Sequence, residues 1–251
     1  MRRSLIALTL VLGGLVAAWG ALVLLDLLAR SEQRTTRPLD VAGELVLETG
    51  SGDLEVVAAS GPARLELRSV RGLFGGPGTR VTRGRDGVLS VKTNCTGPFA
   101  LSCSGSMRAL IPAGTAVDVR TGSGNVRVRG ARGGVVAETG SGDVELAELG
   151  GREVAAETGS GDVTGSGIAA RRVRAETGSG DVDLALTAPP DGVVVDTGSG
   201  NASLGVPDVG YAFALDTGSG DERIDVRQEP ASPRTVRMDT GSGDIAVRPA
   251  R

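Results

Sequence analysis

The segment Val154-Ala155-Ala156-Glu157-Thr158-Gly159-Ser160-Gly161-Asp162-Val163 recurs, with small variations, eight times along this chain. Its centre, Thr-Gly-Ser-Gly followed by Asp or Asn, begins at Thr49, Thr121, Thr139, Thr158, Thr177, Thr197, Thr217 and Thr240. The steps between copies are 72, 18, 19, 19, 20, 20 and 23 residues, and a period near 19 is the mark of a solenoid.

The flanks of each copy say which kind. Two residues before the Thr stand Leu47, Val119, Ala137, Ala156, Ala175, Val195, Leu215 and Met238; four before it stand Leu45, Val117, Val135, Val154, Val173, Val193, Phe213 and Val236. Between the first of these columns and the Thr stands a charge in every copy: Glu48, Arg120, Glu138, Glu157, Glu176, Asp196, Asp216 and Asp239. Alternation with period two is the pattern of a strand with one face in a core. It resumes after the Gly-Ser-Gly at Leu54, Val126, Val144, Val163, Val182 and Ile245. Each repeat therefore reads as strand, tight arc, strand and turn, and it buries its apolar face only by stacking on the next. The predicted fold is all-β: a parallel β-solenoid (β-helix), right-handed because parallel crossovers are, with 18–23 residues per coil.

Outside the repeat the pattern is weaker. Between Asp53 and Ala113 alternating runs persist at residues 64–70, 79–82 and 88–92, read as degenerate coils or a small antiparallel elaboration. After the last strand, Arg248-Pro249-Ala250-Arg251 blunts an edge without capping it, so the final coil is expected to be open to edge-to-edge self-association.

From Leu5 to Leu25 the chain runs 21 residues without a charge, after Arg2 and Arg3. That is the length of a membrane-spanning helix and more than a signal-peptide core. A cleaved signal ending near Ala18-Trp19-Gly20 is the alternative. Arg30, Arg34 and Arg37 rival Arg2 and Arg3 under the positive-inside rule. Cys95 and Cys103 break the tie if they form a disulfide in an oxidising exterior; two separate thiols is the other reading. The expected organisation is a cytoplasmic tail over 1–4, a signal anchor over 5–28 and a linker over 29–40. An N-terminal β region with the Cys pair follows over 41–112, and the regular solenoid over 113–251. A single-pass protein of the cell membrane with its C-terminal domain outside follows from this.

Composition removes several chemistries. The 251 residues contain no His, which excludes His-based triads, His metal ligands and imidazole acid–base work. Lys92 is the one lysine, so there is no Gly-x-x-x-x-Gly-Lys phosphate loop, and a net charge of −3 speaks against nucleic acid. Two Cys cannot build a four-thiolate zinc site. One Trp, one Tyr and three Phe leave little for sugar stacking; Tyr211 and Phe213 form the one aromatic pair.

Two motifs imitate chemistry. Asp196-Thr197-Gly198-Ser199, Asp216-Thr217-Gly218-Ser219 and Asp239-Thr240-Gly241-Ser242 match the aspartic-protease signature. A catalytic dyad needs two facing carboxylates sharing a proton, however, and not a position that recurs every 19–23 residues as Glu, Asp or Arg. The Gly-Ser-Gly-Asp arc also resembles the calcium-binding nonapeptide of β-roll toxins, at twice the period. Stacking would gather Glu138, Glu157, Glu176, Asp196, Asp216 and Asp239 into one acidic column. Asp143, Asp162, Asp181, Asp221 and Asp244 would form a second, with Asn125 and Asn201 as neutral members. Carboxylates about 5 Å apart repel by roughly 1 kcal/mol even in water. Ca²⁺, nearby Arg, or backbone amides of the turn must offset that; the last choice needs no cofactor. The Thr and Ser hydroxyls are expected to form ladders between coils.

The repeats, the run Ile111-Pro112-Ala113-Gly114-Thr115-Ala116-Val117-Asp118-Val119 and the apolar N-terminus together resemble an adhesin-like family of bacterial membrane-anchored β-solenoid domains, a domain class of unknown function. The resemblance covers residues 38–248. It implies a non-enzymatic cell-envelope module that displays a repetitive surface to a glycan or protein partner. Two readings from other classes stay open: a sensory ectodomain for envelope stress, and a polysaccharide-active β-helix enzyme, which would need a groove lined by aromatics.

Overall fold

The computed structural model describes residues 13–14, 16–17, 19–21, 24–25, 31–41, 43–71, 76–84, 88–96 and 104–250. Most of the expected anchor lies outside them; among the described residues no helix is long and apolar enough to cross a membrane. Cys103 also lies outside them, and with it the Cys95–Cys103 pairing.

Among the described residues, twenty strands lie in two facing sheets. Each repeat contributes one strand before its arc to one sheet and one after it to the other. The first sheet contains β2 (Glu44–Ser51), β6 (Leu89–Thr96), β8 (Ala116–Ser123), β10 (Val135–Ser141), β12 (Gly150–Thr158), β15 (Gly192–Thr197), β17 (Ala212–Thr217) and β19 (Thr235–Thr240). The second contains β3 (Leu54–Ala58), β7 (Ser104–Ile111), β9 (Val126–Arg129), β11 (Val144–Ala147), β14 (Val182–Leu186), β16 (Ala202–Val206), β18 (Glu222–Ile224) and β20 (Ile245–Pro249). The long β13 (Val163–Thr177) serves both, its register shifting between Gly165 and Ile168.

All coil-to-coil pairings are parallel and keep the repeats in register: Thr121 stands beside Thr139, Thr139 beside Thr158, Thr158 beside Thr177, and Thr177 beside Thr197. The predicted parallel solenoid is thus present. Its interior is the period-two column of small apolar residues: Leu47, Val119, Ala137, Ala156, Ala175, Val195 and Met238 from one sheet face Val56, Val128, Leu146, Leu184, Leu204 and Val247 from the other, all buried.

The order of coils departs from the order of the sequence at both ends. Thr49 pairs directly with Thr121, so the 72-residue step separates neighbours in space. The intervening chain makes one degenerate coil, β6 and β7, stacked on the far side of β2 and β3. It also makes antiparallel strands that cover the parallel coils at that end. These are β4 (Arg64–Arg71) against β7, β5 (Gly76–Arg83) against β6, and β1 (Ser31–Pro38), inside the expected linker, against β4. Among the described residues the stack has nine coils, whose eight spacings of about 4.8 Å span roughly 38 Å.

At the other end the last coil is not an edge. β19 lies between β15 and β17, and β20 between β16 and β18. The open edge is the preceding coil, β17–β18, and Arg248 and Pro249 face Gly205 and Val206 in the interior of the sheet. The crossing is filled by Tyr211, fully buried, whose hydroxyl donates to the Pro207 carbonyl at 3.0 Å. Its ring packs on Phe213 at 5.9 Å.

Candidate functional site

The arcs are dictated by how closely coils approach. Gly161 has φ +146°, and a Cβ there would collide with the Gly142 carbonyl of the next coil; a Cβ on Gly159 would come within 2.6 Å of the Gly140 carbonyl oxygen. The Thr hydroxyl is buried and donates to a neighbouring coil's glycine carbonyl: Thr158 to Gly142 at 2.9 Å, Thr177 to Gly161 at 2.9 Å, Thr197 to Gly180 at 3.0 Å. The expected Thr ladder is therefore built. The expected Ser ladder is made by the backbone instead. Ser160 and Ser179 carbonyls accept from the Gly142 and Gly161 amides, while their side chains are exposed.

The second acidic column is turn chemistry. Asp143 Oδ1 accepts from the Asp162 amide at 3.1 Å, Asp162 Oδ1 from the Asp181 amide at 2.9 Å, and Asp181 Oδ1 from the Asn201 amide at 2.7 Å. Asn201 Oδ1 accepts from Asp244 at 3.0 Å, and Asp244 Oδ1 from Asp221 at 2.9 Å. The demand is for one carbonyl-type oxygen per coil, which is why Asn125 and Asn201 serve as well as Asp. Asp221 is the last of the ladder.

The first acidic column is also assembled, in the order Glu138, Glu157, Glu176, Asp196, Asp239, Asp216. The last five of these line an open groove of about 570 Å³, together with the Thr and first Gly of every arc among them but that of Asp216. Ion pairs fall on alternate members. Arg120 reaches Glu138 at 3.6 Å, Arg174 pairs with Glu176, and Arg237 pairs with Asp239 at 2.7 Å. Glu157, Asp196 and Asp216 have no cation within salt-bridge distance among the described residues. The Arg237 guanidinium is held above its ordinary value, chiefly by its hydrogen bond to Asp239 and further by the fields of Asp239, Asp196 and Asp216. Arg120 is shifted the same way, first by its hydrogen bond to Asp118.

The unpaired carboxylates thus recur every second coil, roughly 9.6 Å apart. Arg174 and Arg237 sit two residues before their acids, where the other copies carry Val or Ala or, in one, Asp118. That signal was visible, but its alternation appears only once the last coil is placed inside the stack. Among the described residues no group of three or more acids is arranged to hold a metal ion. The three protease-like copies stand side by side on parallel strands of one sheet, Asp239 between Asp196 and Asp216, with no facing partner.

A family model described as Toastrack DUF4097 matches residues 84–249. Among solved structures, a "putative adhesin" from Bacteroides fragilis is 13% identical, with 86% of this chain and 98% of that one covered and a TM-score of 0.51. A "putative adhesin" from Parabacteroides merdae is 12% identical over 86% and 96% of the two chains, with a TM-score of 0.46. A "putative lipid binding protein" from Parabacteroides distasonis is 13% identical over 85% and 96%, with a TM-score of 0.44. No curated protein matches the chain.

Proposed function

The chain belongs to the Toastrack DUF4097 family, and from that premise we propose that it is a non-enzymatic, extracytoplasmic interaction module. In this reading its apolar N-terminal segment holds it at the cell membrane, and the stack is a rigid surface for a cell-envelope partner. The observation that carries the reading is the alternate pairing along the acidic groove. Three neutralised carboxylates hold the column together, and three free ones, Glu157, Asp196 and Asp216, form a ruler at two-coil spacing. A partner that repeats positive charges at that interval gains from several contacts at once, each weak and salt-screened when exposed.

The test is protease accessibility in cells producing the full chain with an epitope at its C-terminus. The epitope is expected in the membrane fraction, and it is removed by protease added outside the cytoplasmic membrane. Recovery in the soluble cytosol, or protection from external protease, would overturn the proposal.

A further inference from the structure

The two ends of the stack differ. At one end the parallel stack is extended by antiparallel strands, β4 on β7, β1 on β4 and β5 on β6. At the other, among the described residues, β17 pairs only with β19 and β18 only with β20, so each presents a row of backbone N–H and C=O groups outward. Side chains there are incompletely covered. Phe213, Leu215 and Ile224 are half-buried, where the same columns one coil inward hold buried Val236, Met238 and Val247. Asp216 ends the acidic column without a cation in reach, and Arg223 engages Asp225 through Nε alone, at 2.8 Å.

We propose that this end binds the same end of a second copy, forming a closed two-fold dimer. A two-fold axis running parallel to the strands lays β17 of one copy antiparallel to β18 of the other, and the reverse. The register that sets Asp216 opposite Arg223 of the second copy also sets Leu215 opposite Ile224 of the second copy. Both members of the first pair point outward and both of the second point inward, so the alternation of the two strands agrees. Each such contact occurs twice. Charge complementarity is what selects a second copy over an unrelated edge. Because the two-fold contact uses the same edge of both copies, and the antiparallel strands make the opposite end a different surface, the assembly stops at two and does not grow into a filament. Glu222 stands where every other copy of its column carries an apolar residue or, in the degenerate coil, Met107. An inward charge on an edge penalises pairings that bury it; in this register it falls opposite Thr217, beside the arc.

The test is light scattering of the full chain in detergent solution, from micromolar to sub-millimolar concentration, for wild type, Asp216→Arg, Arg223→Asp and the double reversal. Wild type is expected to move from monomer to dimer as concentration rises. Each single reversal weakens the dimer about tenfold or more, because two opposite-charge pairs become like-charge pairs. The double reversal restores it, which a merely misfolded variant would not. A wild type that stays monomeric throughout overturns the proposal, as does a dimer indifferent to the single reversals.

Discussion

Within one arc, two adjacent residues are expected to answer substitution by alanine in opposite ways. Gly161 sits at φ +146°, a region that costs an L-residue about 1–3 kcal/mol. Its new methyl would also press on the Gly142 carbonyl and lie 3.0 Å from Asp143 Oδ1, and both belong to a backbone that hydrogen bonds hold on each side. Overpacking of that kind adds about 1–3 kcal/mol. Gly161→Ala should therefore lose about 2–6 kcal/mol, or roughly 4–24 °C in melting temperature for a domain of this size. Ser160, next to it, has an exposed side chain, and Ser160→Ala should stay within about 0.5 kcal/mol. Thermal melts followed by circular dichroism at 218 nm, backed by urea titration, would read both. A Gly161→Ala protein that melts within about 2 °C of wild type would refute the claim that coil approach dictates the glycines.

Other expectations follow from the ladders and the crossing. Thr158→Val removes the donor to the Gly142 carbonyl and should cost about 1–2 kcal/mol in urea unfolding. Asp162→Asn keeps an oxygen for the Asp181 amide and should melt like wild type, whereas Asp162→Ala should lose about 1 kcal/mol. Millimolar Ca²⁺ should leave the melt where excess chelator leaves it, since in the second column one oxygen each of Asp143, Asp162, Asp181 and Asp244 is taken by an amide; saturation at 100 times Kd would instead add about 2.7 kcal/mol. Burial raises the Tyr211 phenol above its ordinary value of 10.0. A group raised in the folded state stabilises below its unfolded pKa and loses that contribution as pH rises through the folded one. Stability should hence decline above pH 10.0, and Tyr211→Phe should flatten the decline while losing the Pro207 hydrogen bond at neutral pH.

Much of the fold was legible because one physical demand repeats. Alternation at Val154, Ala156, Val163 and their equivalents fixes strand and face, and the arc between them fixes the coil. Coil order was not legible, because parallel neighbours share one register whichever comes first in the chain. A clue lay at Glu222, where a charge interrupts an apolar column and so marks the end of the stack. The 23-residue step to Thr240, the longest within the regular region, marks the return across Tyr211. In the site, both acidic columns could be drawn from the sequence alone. Their different fates could not, since the second depends on amide positions and the first on Arg174 and Arg237 meeting their acids in space.

The interior seat of β20 also bears on mechanical load. A pull on the C-terminus does not peel a strand from an exposed edge, one hydrogen bond after another. It enters the stack between β16 and β18 and is borne along the strand by two rows of hydrogen bonds stretched together. A chain tethered at its other end would therefore resist traction by shear, in the penultimate coil of its stack, with the edge coil β17–β18 serving as one of the two flanks.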